Sequence, residues 1–113
     1  MSAGRKRVNL YGSSLDDLRK FPGSVRQEAG FQIDLLQQGR EPDDWKPMSD
    51  IGSGVREIRL KDSDGIFRVI YVAKFKESVF VLHCFQKKTA KTASKDLSLA
   101  KSRYAQLMKE LNS

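Results

Sequence analysis

The chain opens on a short alternation, Arg7-Val8-Asn9-Leu10-Tyr11, which Gly12 ends; this is the pattern of an edge strand. Ser13 and Ser14 offer an N-cap, and Asp16 and Asp17 fall in the first turn, where a helix dipole favours negative charge. Leu15, Leu18 and Phe21 give that helix an apolar stripe before Pro22-Gly23 ends it. Ser24 is positioned to cap a second helix running to about Gln38. Its stripe is Val25, Ala29, Ile33 and Leu36, and Gly39 is its stop. Two short helices in succession predict a helical hairpin packed on a sheet. Residues 39–53 read as a long connection with Trp45 and Met48 embedded, a length that suggests function or pinning by its own side chains. The expected role of both is to plug one edge of the core, with base stacking by Trp45 as the alternative.

Residues 54–61 and 66–75 alternate as strands across Lys61-Asp62-Ser63-Asp64-Gly65, a hairpin turn signal. Residues 75–78 turn the chain into a third strand over 79–86. A final helix starts near Ser94, with Leu97, Ala100, Tyr104, Leu107, Met108 and Leu111 on one face. The predicted fold class is α+β, in the order β-α-α-β-β-β-α. Its antiparallel sheet joins one N-terminal strand to a three-stranded meander, with the two-helix hairpin on one face and a C-terminal helix. Residues 1–113 form a single domain, with a flexible basic tail over 1–6.

Side chains two apart on a strand share a face. Ile58 and Leu60, then Phe67, Val69, Tyr71 and Ala73, then Phe80, Leu82 and Cys84 make three apolar sets, expected against the helical hairpin. The opposite face then gathers Arg59, Lys61, Arg68, His83 and Lys87, with Phe85 among them and Glu57 as its one acid. Like charges facing each other across strands are destabilising, so such a cluster is tolerated where a polyanion is the occupant. Phe85 adds a surface for an unstacked base.

Charge sharpens this picture. The net charge is +7. Residues 1–53 are neutral with eight basic and eight acidic side chains, whereas 54–113 carry thirteen against six. The excess therefore lies in the meander and last helix, which favours a polyanionic partner, nucleic acid or an acidic protein. The single Cys84 excludes a disulfide framework within the chain and fits a reducing cytoplasm. No apolar run approaches a membrane span, and the basic N-terminus lacks the apolar region of a signal peptide.

One His beside one Cys cannot make a tetrahedral metal site, so neither metal nor cofactor is expected. RNA is cut without a metal when its own 2′-hydroxyl attacks the neighbouring phosphorus. The protein must take up a proton, stabilise the added charge on phosphorus and help the 5′-oxygen leave. Arg59 and Arg68 suit the phosphate. His83 or a lysine with lowered pKa could move protons, and Lys87 could neutralise the leaving oxygen. A hydrogen-bonded structural role is the alternative for His83. Lys61, Phe85, Lys88 and Lys91 are candidate RNA contacts, although Lys88 points away from Lys87 or lies in the turn, and Lys91 is equally readable as a solvated side chain.

The run Leu82-His83-Cys84-Phe85-Gln86-Lys87-Lys88-Thr89, followed by Lys91-Thr92 and Leu97-x-x-Ala100-x-x-Arg103, resembles the C-terminal signature of phage-derived RelE/HigB-type toxins, of the RelE/ParE superfamily. Gly54-Val55-Arg56-Glu57-Ile58-Arg59 and Phe67-Arg68-Val69-Ile70-Tyr71 are similar to two further segments of that family. The resemblance spans about residues 8–111. It implies a compact α/β domain that cleaves mRNA on the ribosome and is neutralised by a cognate antitoxin, often a small helix-turn-helix protein. It places Arg59, Arg68 and Lys87 where the superfamily carries basic catalytic residues. Several relatives use a tyrosine near the chain end, whereas here none follows the Lys-Lys-Thr turn before Tyr104. The expected function is a metal-independent, ribosome-dependent endoribonuclease toxin; the alternative is a non-catalytic RNA- or ribosome-binding or phage accessory protein using the same face.

Overall fold

The structure, a computed structural model, describes residues 4–112. Its elements are β1 (Arg7–Leu10), α1 (Ser14–Arg19), α2 (Gly23–Gln37), β2 (Trp45–Pro47), β3 (Val55–Asp62), β4 (Gly65–Val72), β5 (Ser78–Lys87) and α3 (Ser94–Leu111). One five-stranded sheet runs in the order β1-β5-β4-β3-β2. The α+β class, both predicted helices, the meander and the last helix are as the periodicity predicts. Two features make the sheet larger and mixed rather than wholly antiparallel. β1 pairs in parallel with β5, Arg7 opposite Ser78 and Leu10 opposite Val81. A four-residue alternation carries no information about strand direction. The second feature is β2, inside the stretch expected to be a loop, where Trp45, Lys46 and Pro47 pair with Ile58, Glu57 and Arg56.

Local chemistry explains most element ends and corrects one. Ser13 stands at the N-cap of α1, and its hydroxyl hydrogen-bonds Asp17 at 2.7 Å. Pro22, not Ser24, caps α2, and the Ser24 hydroxyl donates instead to Asp62 at 3.3 Å. The basic tail expected over 1–6 falls only partly within the described residues. Residues 1–3 lie outside the described residues, but Arg5 pairs with Asp34, and the Lys6 ammonium donates to the Ala73 carbonyl at 2.8 Å.

The sheet is covered on both faces. The hairpin core gathers Phe21, Val25, Ala29, Ile33 and Leu36 over Ile58, Leu60, Phe67, Val69 and Tyr71. The second core lies under α3, where Ala100 and Leu107 meet Val55, Ile70, Val72, Phe80, Leu82 and Phe85. Fully burying an aliphatic side chain contributes about 1.5–3 kcal/mol, so each layer is a substantial source of stability. Met48 is buried in the second core, as expected, whereas Trp45 belongs to neither core and its half-buried ring is covered by the Arg56 guanidinium at 4.0 Å.

One residue decides how β5 serves both layers. Val69 pairs with Cys84 and Ile70 with His83, but Tyr71 pairs with Val81, so Leu82 is an extra residue bulged out of the β4–β5 ladder. The bulge reverses the alternation. Val79, Val81 and Cys84 face the helical hairpin, whereas Phe80 and Leu82 join Phe85 under α3. Phe80 and Leu82 are therefore core residues, as expected, but of the opposite layer.

α3 is tied down by polar contacts as much as by apolar ones. Arg103 donates to the Leu82 carbonyl at 2.8 Å and to the Ser13 hydroxyl at 3.2 Å, and Tyr104 donates to the Ser53 carbonyl at 3.1 Å. The Arg103 guanidinium lies against Gly12, where φ is +54° and a Cβ would come within 2.6 Å of it. No helix among the described residues is long and apolar enough to cross a membrane.

Cys84 is 1% exposed, and burial pushes its thiol up to about 12. The folded protein is expected to resist iodoacetamide at pH 8 and to react once urea unfolds it. Because the folded pKa exceeds the unfolded one, the protonated thiol's contribution to stability is complete below about pH 8.5 and is lost as pH rises towards 12. Cys84→Ala should make the fall in urea midpoint between pH 8.5 and 11 shallower. Tyr71, also raised to about 12 by burial, sustains part of that fall from about pH 10.

Candidate nucleic-acid interface

The sheet face that carries α3 is divided. Its apolar half lies under the helix, and its cationic half extends beyond it. Strand register builds that open half in cross-strand rows. Arg59 stands directly opposite Arg68, and Arg68 opposite Phe85. In the next row, towards the β3–β4 hairpin, Lys61 faces Ile66 and Ile66 faces Lys87. On the other side lies the row Lys46, Glu57, Ile70, His83. Four of the predicted residues, Arg59, Lys61, Arg68 and Lys87, thus share one face on three neighbouring strands.

Their environments differ. Arg59 is exposed, with its Nε 4.0 Å from the Asp44 carboxylate. Arg68 is only 5% exposed and pairs with Glu57, itself 1% exposed, across an Nε–Oε1 distance of 3.2 Å. Its Nη1 donates to the Phe67 carbonyl at 3.0 Å. Burial pulls the Arg68 pKa below the ordinary arginine value and neighbouring Arg59 adds to this, while Glu57 and Asp44 act the other way. An arginine remains protonated under such conditions, so the site holds a permanent cation in a largely dry setting. Arg59, Lys61, Arg68, Ile66 and Asp44 line a cleft of about 240 Å³. Lys87, Lys88, Lys95 and Asp96 line a neighbouring one of about 440 Å³ where β5 leads into α3.

Two predicted residues have different surroundings from those expected. Phe85 is 8% exposed and belongs to the core under α3, so little of its ring is open, although it lines the second cleft. Its partner is His83, stacked on it with centroids 5.0 Å apart and planes 17° from parallel. His83 is 5% exposed, and its Nε2 lies 2.7 Å from the Asp96 carboxylate in the first turn of α3. That is the hydrogen-bonded, structural environment named as the alternative for this residue. Lys88 is exposed beside Lys87, and Lys91 is exposed in the connection to α3 but lines neither cleft.

Two residues escaped the sequence reading, and a third, Lys95, reads from the sequence only as a solvated side chain. Lys46 joins the face through β2, and Asp44 places a carboxylate in the cleft of Arg59 and Arg68. Lys95 adds a cation at the second. No signal marked Lys46, because a three-residue strand ending in Pro47 leaves no measurable alternation. Among the described residues no group of three or more His, Cys, Asp or Glu side chains is arranged to hold a metal ion.

A family model described as Phage derived protein Gp49-like (DUF891) matches residues 16–105. The chain belongs to that family. The match contains every cationic row of this Gp49-like protein and stops within α3. No curated protein sequence matches the chain. Among solved structures, a mutant of the E. coli toxin RelE in its free state, with two arginines replaced by alanine, is similar, with a TM-score of 0.64 and 21% identity. The match covers 88% of this chain and 97% of the RelE chain. The Gp49-like chain therefore has the RelE fold.

The Glu57–Arg68 pair makes unequal demands on its neighbours. Arg68→Ala strands a buried carboxylate and should cost about 3–5 kcal/mol, whereas Arg59→Ala, at an exposed position, should cost less than about 1 kcal/mol. Urea unfolding of the two variants measures the difference.

Proposed function

We infer that this Gp49-like protein is an endoribonuclease toxin of a toxin–antitoxin system that cleaves mRNA on the ribosome. The observation that carries the reading is Arg59 and Arg68 in direct cross-strand register at one cleft, with Lys61 and Lys87 in the adjoining row. Two like charges held opposite each other are unfavourable without an anion between or above them, and a phosphodiester is such an anion. Membership of a phage-derived family and a fold shared with the toxin RelE support the same reading.

In this reading the messenger strand crosses the open half of the sheet. Attack by a 2′-hydroxyl places extra negative charge on the phosphoryl oxygens, and the Arg68 guanidinium, held by its neighbours, stabilises it. Arg59 and Lys61 hold the flanking phosphate charge, and Lys87 stands on the side from which the 5′-oxygen is neutralised as it leaves. Lys88 and Lys91 supply further phosphate contacts along the exit from β5. His83, engaged with Asp96, acts by holding α3 and the end of β5 in register. The neutralising partner is a cognate antitoxin, in keeping with a helix-turn-helix protein, and the cytoplasm is where both would meet translating ribosomes.

That same engagement of His83 favours a second reading: a module that binds RNA or the ribosome through this face without cutting it. The two readings separate in a cleavage assay on ribosome-bound mRNA. The toxin reading expects wild-type protein to leave cut messages, and Arg59→Ala, at an exposed position, to slow cutting by about 10²-fold with no loss of fold. Salt-sensitive binding with intact messages would establish the module instead.

A further inference from the structure

Glu57 is an unusual acid: 1% exposed, on the face that otherwise gathers cations, with one carboxylate oxygen facing Arg68 and the other buried without a partner. A buried carboxylate costs several kcal/mol of hydration and gives net stability only with excellent geometry. This pair falls short of that, since the Arg68 Nε lies close to Glu57 but is not aligned for a hydrogen bond with it. Stability alone is a poor reason for it.

Register supplies a better one. Arg59 and Arg68 face each other across the β3–β4 ladder, and Glu57 lies two residues before Arg59 on the same strand and face. It is the buried negative charge next to that arginine pair; Asp44, the other nearby acid, is exposed and 4.0 Å from Arg59. With Nε in close ionic contact with Glu57 and Nη1 bonded to the Phe67 carbonyl, two of the three guanidinium nitrogens face protein groups and Nη2 is left for a ligand. Arg68 lines the cleft while almost wholly buried.

We propose that Glu57 is a positioning residue that fixes the Arg68 guanidinium in one orientation and offsets its repulsion with Arg59, so that Arg68 meets an incoming phosphate already aligned. This rests on the reading of the cleft as an RNA site. Arg59 and Arg68 then divide the work. The exposed Arg59 is free to move and recruits the strand, while the buried Arg68 stays still and receives charge as it develops. Preorganisation of this kind acts on the rate of the chemical step more than on binding.

The test compares wild type, Glu57→Gln, Arg68→Lys and the Glu57→Gln/Arg68→Lys double variant. In ¹⁵N NMR of the free protein, the Arg68 Nε–H of wild type should give a sharp, slowly exchanging signal that Glu57→Gln broadens or abolishes while the amide spectrum of the fold persists. Glu57→Gln should slow cleavage of ribosome-bound mRNA by about 10–100-fold, as loss of an orienting partner does elsewhere. Affinity for a short single-stranded RNA should change far less. In the Arg68→Lys background the same change should add little, because the fork that Glu57 orients is already gone. An Arg68 signal unaltered by Glu57→Gln overturns the proposal, and so does cleavage at the wild-type rate by Glu57→Gln. Should wild type itself leave messages intact, the RNA-cleavage reading falls. The NMR comparison then decides the positioning role on its own, with a lost Arg68 signal supporting it and an unaltered one overturning it.

Discussion

The extra residue in β5 is the constraint on which the rest of this fold depends. Without Leu82 bulged from the ladder, a strictly alternating β5 could not send Val79, Val81 and Cys84 to one layer while Leu82 and His83 both turn to the other. The bulge also frees the Leu82 carbonyl from the sheet, and Arg103 takes it. His83 emerges next to Asp96, and Phe85 follows under the helix. A single local irregularity therefore seats α3, and the place where α3 stops defines the place where the cationic surface begins.

That boundary gives the surface its character. Cations scattered on an open sheet would be hydrated and mobile, each contributing little. Here the two rows nearest the helix are half dry. Arg68 and Glu57 are buried at the border between an apolar layer and solvent, while Arg59, Lys61 and Lys46 stand outside it. Low local polarity strengthens the field of the buried arginine, and the exposed ones supply longer-range attraction for a polyanion. The E. coli RelE structure shows that this arrangement of strands and helices is shared at 21% identity, which makes the fold a scaffold and leaves the site to individual side chains.

Much of this was legible in the sequence, for physical reasons that can be named. Helix stripes such as Val25, Ala29, Ile33 and Leu36 are long enough to fix a period, and the β3–β4 turn residues fix a hairpin register. Once that register is known, Arg59 must oppose Arg68. The unreadable parts share a cause: each depends on a contact distant in sequence. β2 exists because β3 offers an edge to Trp45 and Lys46, the direction of β1 is set by β5, and the bulge is recorded only in the mismatch between two strands. Phe85 looked available because alternation reports which face a side chain takes and says nothing of what covers that face. Arg59, Lys61, Arg68 and Lys87 were found by pattern; the burial of Arg68 was not.

β4 carries a consequence for how freely this protein can change. From Phe67 to Val72 six successive residues are buried, with one helical layer above and another below. Such a strand has no solvent side on which substitutions can drift, and every exchange along it disturbs one of two packed layers. The single charged residue in that run is Arg68. A cation there is tolerated only while an acid waits on the next strand, so Arg68 and Glu57 are expected to vary together or not at all.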